Sequence, residues 1–172
     1  MAEQTPAMTG DNDSRGAGDD LRVQLLIRLL KLGSFVNTPM KEGVCDPAGI
    51  SSTELKVMMA LAGEGALAGH DLVGIMGVPP MNVSRALATL RGNGWIEDAV
   101  DPDNRRRKPV RLSMAGWDAY NRMAPDIADV AAALMDKLTA RQQRDFAVVA
   151  DHLVEQMTQW ISSRHAEMKL TR

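Results

Sequence analysis

Apolar residues recur at helical spacing over most of the chain. Leu21, Leu25, Leu29, Leu32 and Val36 form one stripe, which Val23, Leu26 and Leu30 widen beyond what a single core needs. The spacing predicts an N-terminal helix within residues 19–45 with two burial partners. Ser51-x-x-Glu54 has the form of a capping box opening a helix to about Leu61, and Gly63, Gly65 and Gly69 then break the pattern. A short helix over His70–Met76 follows, closed by Gly77, and Pro79-Pro80 presets the first turn of the next. After Ser113, the residues Trp117, Tyr120, Met123 or Ala124, Ile127, Val130, Leu134 and Leu138 keep the helical period, with a bend expected at Pro125. Thr139-x-x-Gln142 opens a last helix, with Phe146, Val149, Leu153, Met157 and Trp160 or Ile161 on one face.

The period changes only between Gly94 and Ser113. Trp95 to Val100 reads as a strand, Val110-Arg111-Leu112 as its partner, and the intervening loop is rich in turn residues and ends in Arg105-Arg106-Arg107-Lys108. Before this hairpin, Val83, Leu87 and Leu90 face a core, leaving Met81, Asn82, Ser84, Arg85, Ala88 and Thr89 on other faces of their helix. A sharp corner, a helix with a short-chained polar face and a projecting cationic loop together suit duplex DNA. Asn and Arg match adenine and guanine edges, and clustered cations match phosphates or a narrow minor groove. Candidate DNA contacts are therefore Met81, Asn82, Ser84, Arg85, Arg105, Arg106, Arg107 and Lys108, with Asn82 and Arg85 as the best readers. Arg111 points either at solvent or at an acid such as Glu97. The expected fold class is mainly α with a small β-hairpin wing, a winged helix-turn-helix with long N- and C-terminal dimerisation helices. The divisions are a disordered acidic tail over 1–18, an N-terminal dimerisation helix over 19–45, the winged lobe over 50–113 and C-terminal dimerisation helices over 114–165.

Composition refines this picture. A chain of 172 residues with 45% hydrophobic content suits one compact domain. The net charge of −2 conceals an uneven distribution, because Glu3, Asp11, Asp13, Asp19 and Asp20 oppose only Arg15 in the first twenty residues. The tail is polar and lacks the basic start and apolar run of a signal peptide, and no stretch approaches the ~20 apolar residues of a membrane span. One cysteine excludes an intrachain disulfide and fits a reducing cytoplasm. His70, His152 and His165 stand far apart, and there is no glycine-rich phosphate loop, so no enzyme, metal or cofactor is expected. With aromatics at 3%, a base-stacking platform for RNA is not expected either.

From about Ile50 to Met123 the chain resembles the multiple-antibiotic-resistance regulator (MarR) family of bacterial transcription factors. The resemblance is carried by Leu72 and Gly77, Val83-Ser84-Arg85, Leu90, Gly94-Trp95-Ile96, Asp101-Pro102, Arg105-Arg106 and the Leu112-Ser113-x-x-Gly116 step into a long helix. It implies a homodimer with one recognition helix and one wing per subunit, bound to a palindromic operator as a repressor and released by a small ligand or by oxidation. The chain departs from the family at Asn104, where Asp is common, at Gly69, where a hydroxyl or amide often holds phosphate, and at Met81, which replaces a small hydroxyl residue. The resemblance also makes Met40, Met58, Trp117 and Tyr120 candidate walls of a cavity for an aromatic ligand, the alternative being plain core packing. Cys45 is a candidate redox sensor, although the adjacent Asp46 anion works against a thiolate there. A protein–protein adaptor with the same shape and no DNA affinity is the reading from a different class.

Overall fold

The computed structural model describes the backbone of residues 13–102, 104 and 107–170, with side chains from residue 20 to 164 except residue 162. The chain is mainly helical with one antiparallel hairpin, as its hydrophobic pattern predicts.

The chain divides after Pro39. The first unit is occupied by α1 (Asp13–Phe35), so the helix starts inside the stretch read as a tail, at an Asp-Ser pair suited to a helix N-terminus. Residues 1–12 lie outside the described residues. α1 ends at Phe35 rather than near residue 45. Asn37 turns its side-chain amide back onto the Gly33 and Ser34 carbonyls at 2.7 and 3.3 Å, and Pro39 has no N–H to continue the ladder. The apolar stripe of α1 is solvent-exposed, with Leu30 at 63% and Phe35 at 73%.

A single turn, α2 (Asn37–Met40), leads into a π-helical turn (Lys41–Cys45) and a second short turn, α3 (Asp46–Ala48), closed by Gly49 at φ 67°. The core of the second unit is built around α4 (Ser52–Glu64). Ser51 and Glu54 close its N-terminus reciprocally at 3.2 and 2.8 Å, which is the capping box read from sequence. Leu55, Val57, Met58 and Leu61 of α4 are buried among Leu72 of α5 (Gly69–Met76), Val83, Ala86 and Leu90 of α6 (Pro80–Gly92), and Ala119 and Met123 of α7 (Met114–Met135). Val44 and Cys45 from the π-helical turn complete the same cluster, and Leu87 is half-buried against it.

The hairpin pairs β1 (Ile96–Asp98) with β2 (Val110–Leu112) in the register Ile96↔Leu112, Glu97↔Arg111 and Asp98↔Val110. Val110 and Leu112 of β2 are buried on either side of exposed Arg111, the period-2 alternation expected of a half-covered sheet, while β1 buries Ile96 alone. β1 is shorter than the stretch to Val100 that β-propensity suggests. The Ala99 N–H still donates to the Pro109 carbonyl at 2.8 Å, but Pro109 has no N–H to return the bond, so the ladder stops. On its other edge, Val110 exchanges two hydrogen bonds with Leu67, at 2.9 and 3.0 Å, tying the α4–α5 loop to the hairpin. Only a helix break is visible there from sequence.

α7 runs unbroken through Pro125 and stops at Met135, not at Leu138. Gln143 explains the stop, since its side-chain amide donates to the Met135 and Leu138 carbonyls at 3.2 Å each. Thr139 and Gln142 then cap α8 (Ala140–Leu170), whose apolar face is also exposed, Trp160 by 62%. Among the described residues no helix is long and apolar enough to cross a membrane.

Candidate nucleic-acid interface

α5 and α6 meet at a corner made by Gly77, at φ 61°, a left-handed conformation that only glycine adopts without strain, and by Pro79-Pro80 immediately after it. Burial of Val83, Ala86 and Leu90 fixes the orientation of α6. Met81, Asn82, Ser84, Arg85, Ala88 and Thr89 are consequently exposed together, and Thr89 satisfies its hydroxyl on the Arg85 carbonyl at 3.2 Å. The polar face expected of this helix is thus present in three dimensions.

The cations around α6 fall into two groups. Arg91 is bound to Asp98 at 2.9 Å, which braces the end of α6 against β1. Arg111 meets Glu97, its cross-strand partner, at 2.8 Å, resolving the alternative left open by the sequence. Arg107 bonds to Asp101 at 3.0 Å and also to Asp71 of α5. In contrast, Arg85 and Lys108 are exposed and make no ion pair among the described residues. Arg105 and Arg106 lie outside the described residues.

Asp71 carries no signal in the sequence beyond its place in the first turn of a helix. It accepts the Ala68 N–H at 2.7 Å, giving α5 the N-terminal partner that an alanine at the cap position cannot supply, and it receives Arg107 on the same oxygen. Partial burial pushes its carboxyl up. The Arg107 and Ala68 hydrogen bonds, together with nearby His70, outweigh that and hold it below the usual carboxylate range. Arg107 is correspondingly held in its charged form by Asp71 first and Asp101 second. Within the loop, the Asn104 N–H donates to Asp101 at 3.1 Å, and the Arg107 N–H donates to the Asn104 carbonyl at 3.0 Å. Asp101 and Asp71 thus provide the anionic brace that Asn104 cannot.

The exit from the hairpin is equally constrained. Ser113 accepts the Gly116 N–H at 3.0 Å as the cap of α7, while its hydroxyl donates to the Gly94 carbonyl at 2.6 Å and its N–H to the Trp95 carbonyl at 3.0 Å. Gly116 lies against that same Trp95 carbonyl, with no room for a Cβ.

The four residues considered as ligand walls differ in exposure. Met58 is fully buried in the core, Met40 and Tyr120 are half-buried, and Trp117 is 42% exposed. Trp117 and Tyr120 do touch, edge to face, with ring centroids 6.1 Å apart. A hollow of about 330 Å³ opens between α3 and α7, lined by Pro47, Ala48, Trp95, Ala119, Arg122, Met123 and Asp126. Cys45 is 1% exposed with its Sγ 3.8 Å from the Ser52 hydroxyl, a position that shields the thiol from solvent oxidants.

A helix-turn-helix followed by a braced hairpin defines a winged helix-turn-helix domain. Residues 50–108 match the sequence model of the MarR family, whose members are transcriptional regulators and not enzymes. Solved structures share the fold. A MarR-family transcriptional regulator from Silicibacter pomeroyi is 21% identical, with 73% of this chain and 84% of that one covered and a TM-score of 0.64. BpsR of Bordetella bronchiseptica, whose DNA binding is regulated by 6-hydroxynicotinic acid, is 17% identical over 76% and 98% of the two chains, with a TM-score of 0.63. A mutant MarR from E. coli complexed with operator DNA is 19% identical over 77% and 95%, with a TM-score of 0.61. No curated protein matches the chain.

Proposed function

We propose that this protein is a cytoplasmic, homodimeric transcriptional repressor that binds a palindromic operator and is released by a small aromatic ligand. The observation that carries the reading is the division among its cations. Arg91, Arg107 and Arg111 are committed to carboxylates within the fold, whereas Arg85 on the outer face of α6 and Lys108 on the wing are left to meet an external anion. On this reading Met81, Asn82, Ser84 and Arg85 enter the major groove, Arg105, Arg106 and Lys108 hold the backbone or minor groove, and Arg107 acts as the strut that aims them.

The exposed apolar faces of α1 and α8 support a dimer, because contiguous surfaces of that kind mark protein interfaces. Two copies would place their recognition helices in successive major grooves about 34 Å apart. Residues 19–45 and 114–165 supply the dimerisation elements. An aromatic ligand beside Trp117 and Tyr120 would act through α7, favouring a dimer whose recognition helices are wrongly spaced. The burial of Cys45 weighs against the redox alternative.

The test is fluorescence-anisotropy binding to the protein's own upstream DNA and to a scrambled duplex, between about 50 and 200 mM salt. Preference for the upstream DNA by a factor of about 10³ or more, with two chains per site, is the expected result. Equal weak binding to both duplexes would reduce the wing to a nonspecific grip, and absence of binding would favour the adaptor reading.

A further inference from the structure

The geometry of α6 points to one residue as the source of a particular sequence preference, an inference that rests on the DNA-binding reading above. Successive helical residues are rotated by about 100°. The buried set Val83, Ala86 and Leu90 defines the side of α6 that faces the core. Met81 stands opposite that set, Arg85 follows on the same line one turn later, and Ala88 one turn after that. Asn82 is turned by about 100° from Met81 toward one flank, and Ser84 by about 60° toward the other. The outermost side chain of the first turn is therefore the thioether, not the amide.

Met81 is 62% exposed and sits directly after the two prolines that start the helix, in a first turn that has no acidic residue and no side-chain cap. Nothing there repels a polynucleotide, and the leading turn of a recognition helix is the part that reaches base edges. A thioether is a poor hydrogen-bonding group, so Met81 has little to offer a phosphate or a polar base edge. The apolar feature of the major groove is the C5 methyl of thymine. We propose that Met81 is a specificity-determining residue that packs on a thymine methyl in each half-site, with Arg85 reading a guanine close by. The two residues are separated by about 6 Å along the helix, a little under two base-pair steps of about 3.4 Å each.

The test uses the full-length protein and an operator recovered by selection from random duplexes. Each thymine of the half-site is replaced in turn by deoxyuridine, which removes only the methyl group. At one position per half-site, binding by the unmodified protein weakens about fourfold, the value of one buried methyl. That penalty shrinks below about twofold, the ordinary limit of additivity, in Met81→Ala and persists in Met81→Leu. An unchanged melting temperature of Met81→Ala shows that the fold is retained. Equal penalties in the original protein and Met81→Ala, or no methyl-sensitive position, overturn the assignment and leave DNA recognition standing. Failure of the original protein to select any sequence overturns both.

Discussion

Arg107 and Asp71, 36 positions apart in the chain, share a charge-assisted hydrogen bond that fastens the wing to the start of α5. The same carboxylate caps α5 through the Ala68 N–H, so one acid serves both halves of the candidate interface.

The stability of this joint depends on pH in a defined direction. Because the Asp71 carboxyl is held below its ordinary value in the folded chain, its contribution is fully present above the unfolded value of about 3.9 and is lost as pH falls through the lower, folded one. Urea unfolding at neutral pH should find Asp71→Ala less stable by about 1 kcal/mol, the usual cost of a lost helix cap. The difference should narrow in acid. A constant difference from pH 7 down to the acid limb would rule out a titrating joint.

Gly116→Ala tests the corner between the wing and α7. The added methyl would overlap the Trp95 carbonyl, a backbone group that cannot rotate away. Overpacking of this kind costs about 1–3 kcal/mol, so the melting temperature should fall by several degrees. A melting temperature within a degree of the original would show that the loop yields.

DNA affinity should separate the free cations from the paired ones. Lys108→Ala is expected to weaken specific and scrambled duplexes alike and to reduce the salt slope by about one. Arg85→Ala should lose more on the specific duplex than on the scrambled one. Arg111→Ala, which removes a side chain already matched to Glu97, should leave the salt slope unchanged. If Arg111→Ala has the largest effect of the three, the contact surface has been placed on the wrong face of the wing.

Leu153→Glu addresses the exposed face of α8. A carboxylate buried at a dimer interface without a partner is strongly unfavourable, so sedimentation should show a shift toward monomer at micromolar concentration, together with a loss of operator binding. A dimer of undiminished stability would move the interface elsewhere.

Much of this architecture was legible in the sequence because its signals are local. Ser51-x-x-Glu54, Thr139-x-x-Gln142, Gly77 before Pro79-Pro80 and the alternation in β2 each act within a few residues, and each forms as its chemistry dictates. What stayed hidden depends on partners distant along the chain. The Leu67–Val110 bridge has no signature in either segment, and four adjacent cations read alike until one of them, Arg107, is found between two carboxylates. The orientation of α6 was also only partly readable. Asn82 stands out in the sequence by its hydrogen-bonding chemistry, but burial of Ala86, a residue too small to mark a hydrophobic pattern, turns Met81 outermost.

The bonds of Ser113 to Gly94 and Trp95, with Gly116 closed against the same loop, leave the corner at the foot of α7 without slack. A rigid corner makes the wing and the 22-residue α7 a single lever, with an arm of about 33 Å. Swinging that arm by about 6° carries its far end through roughly one base-pair rise, near 3.4 Å. A shift of that size at the far end of α7 would thus tilt a hairpin rigidly fixed at its foot by only about 6°.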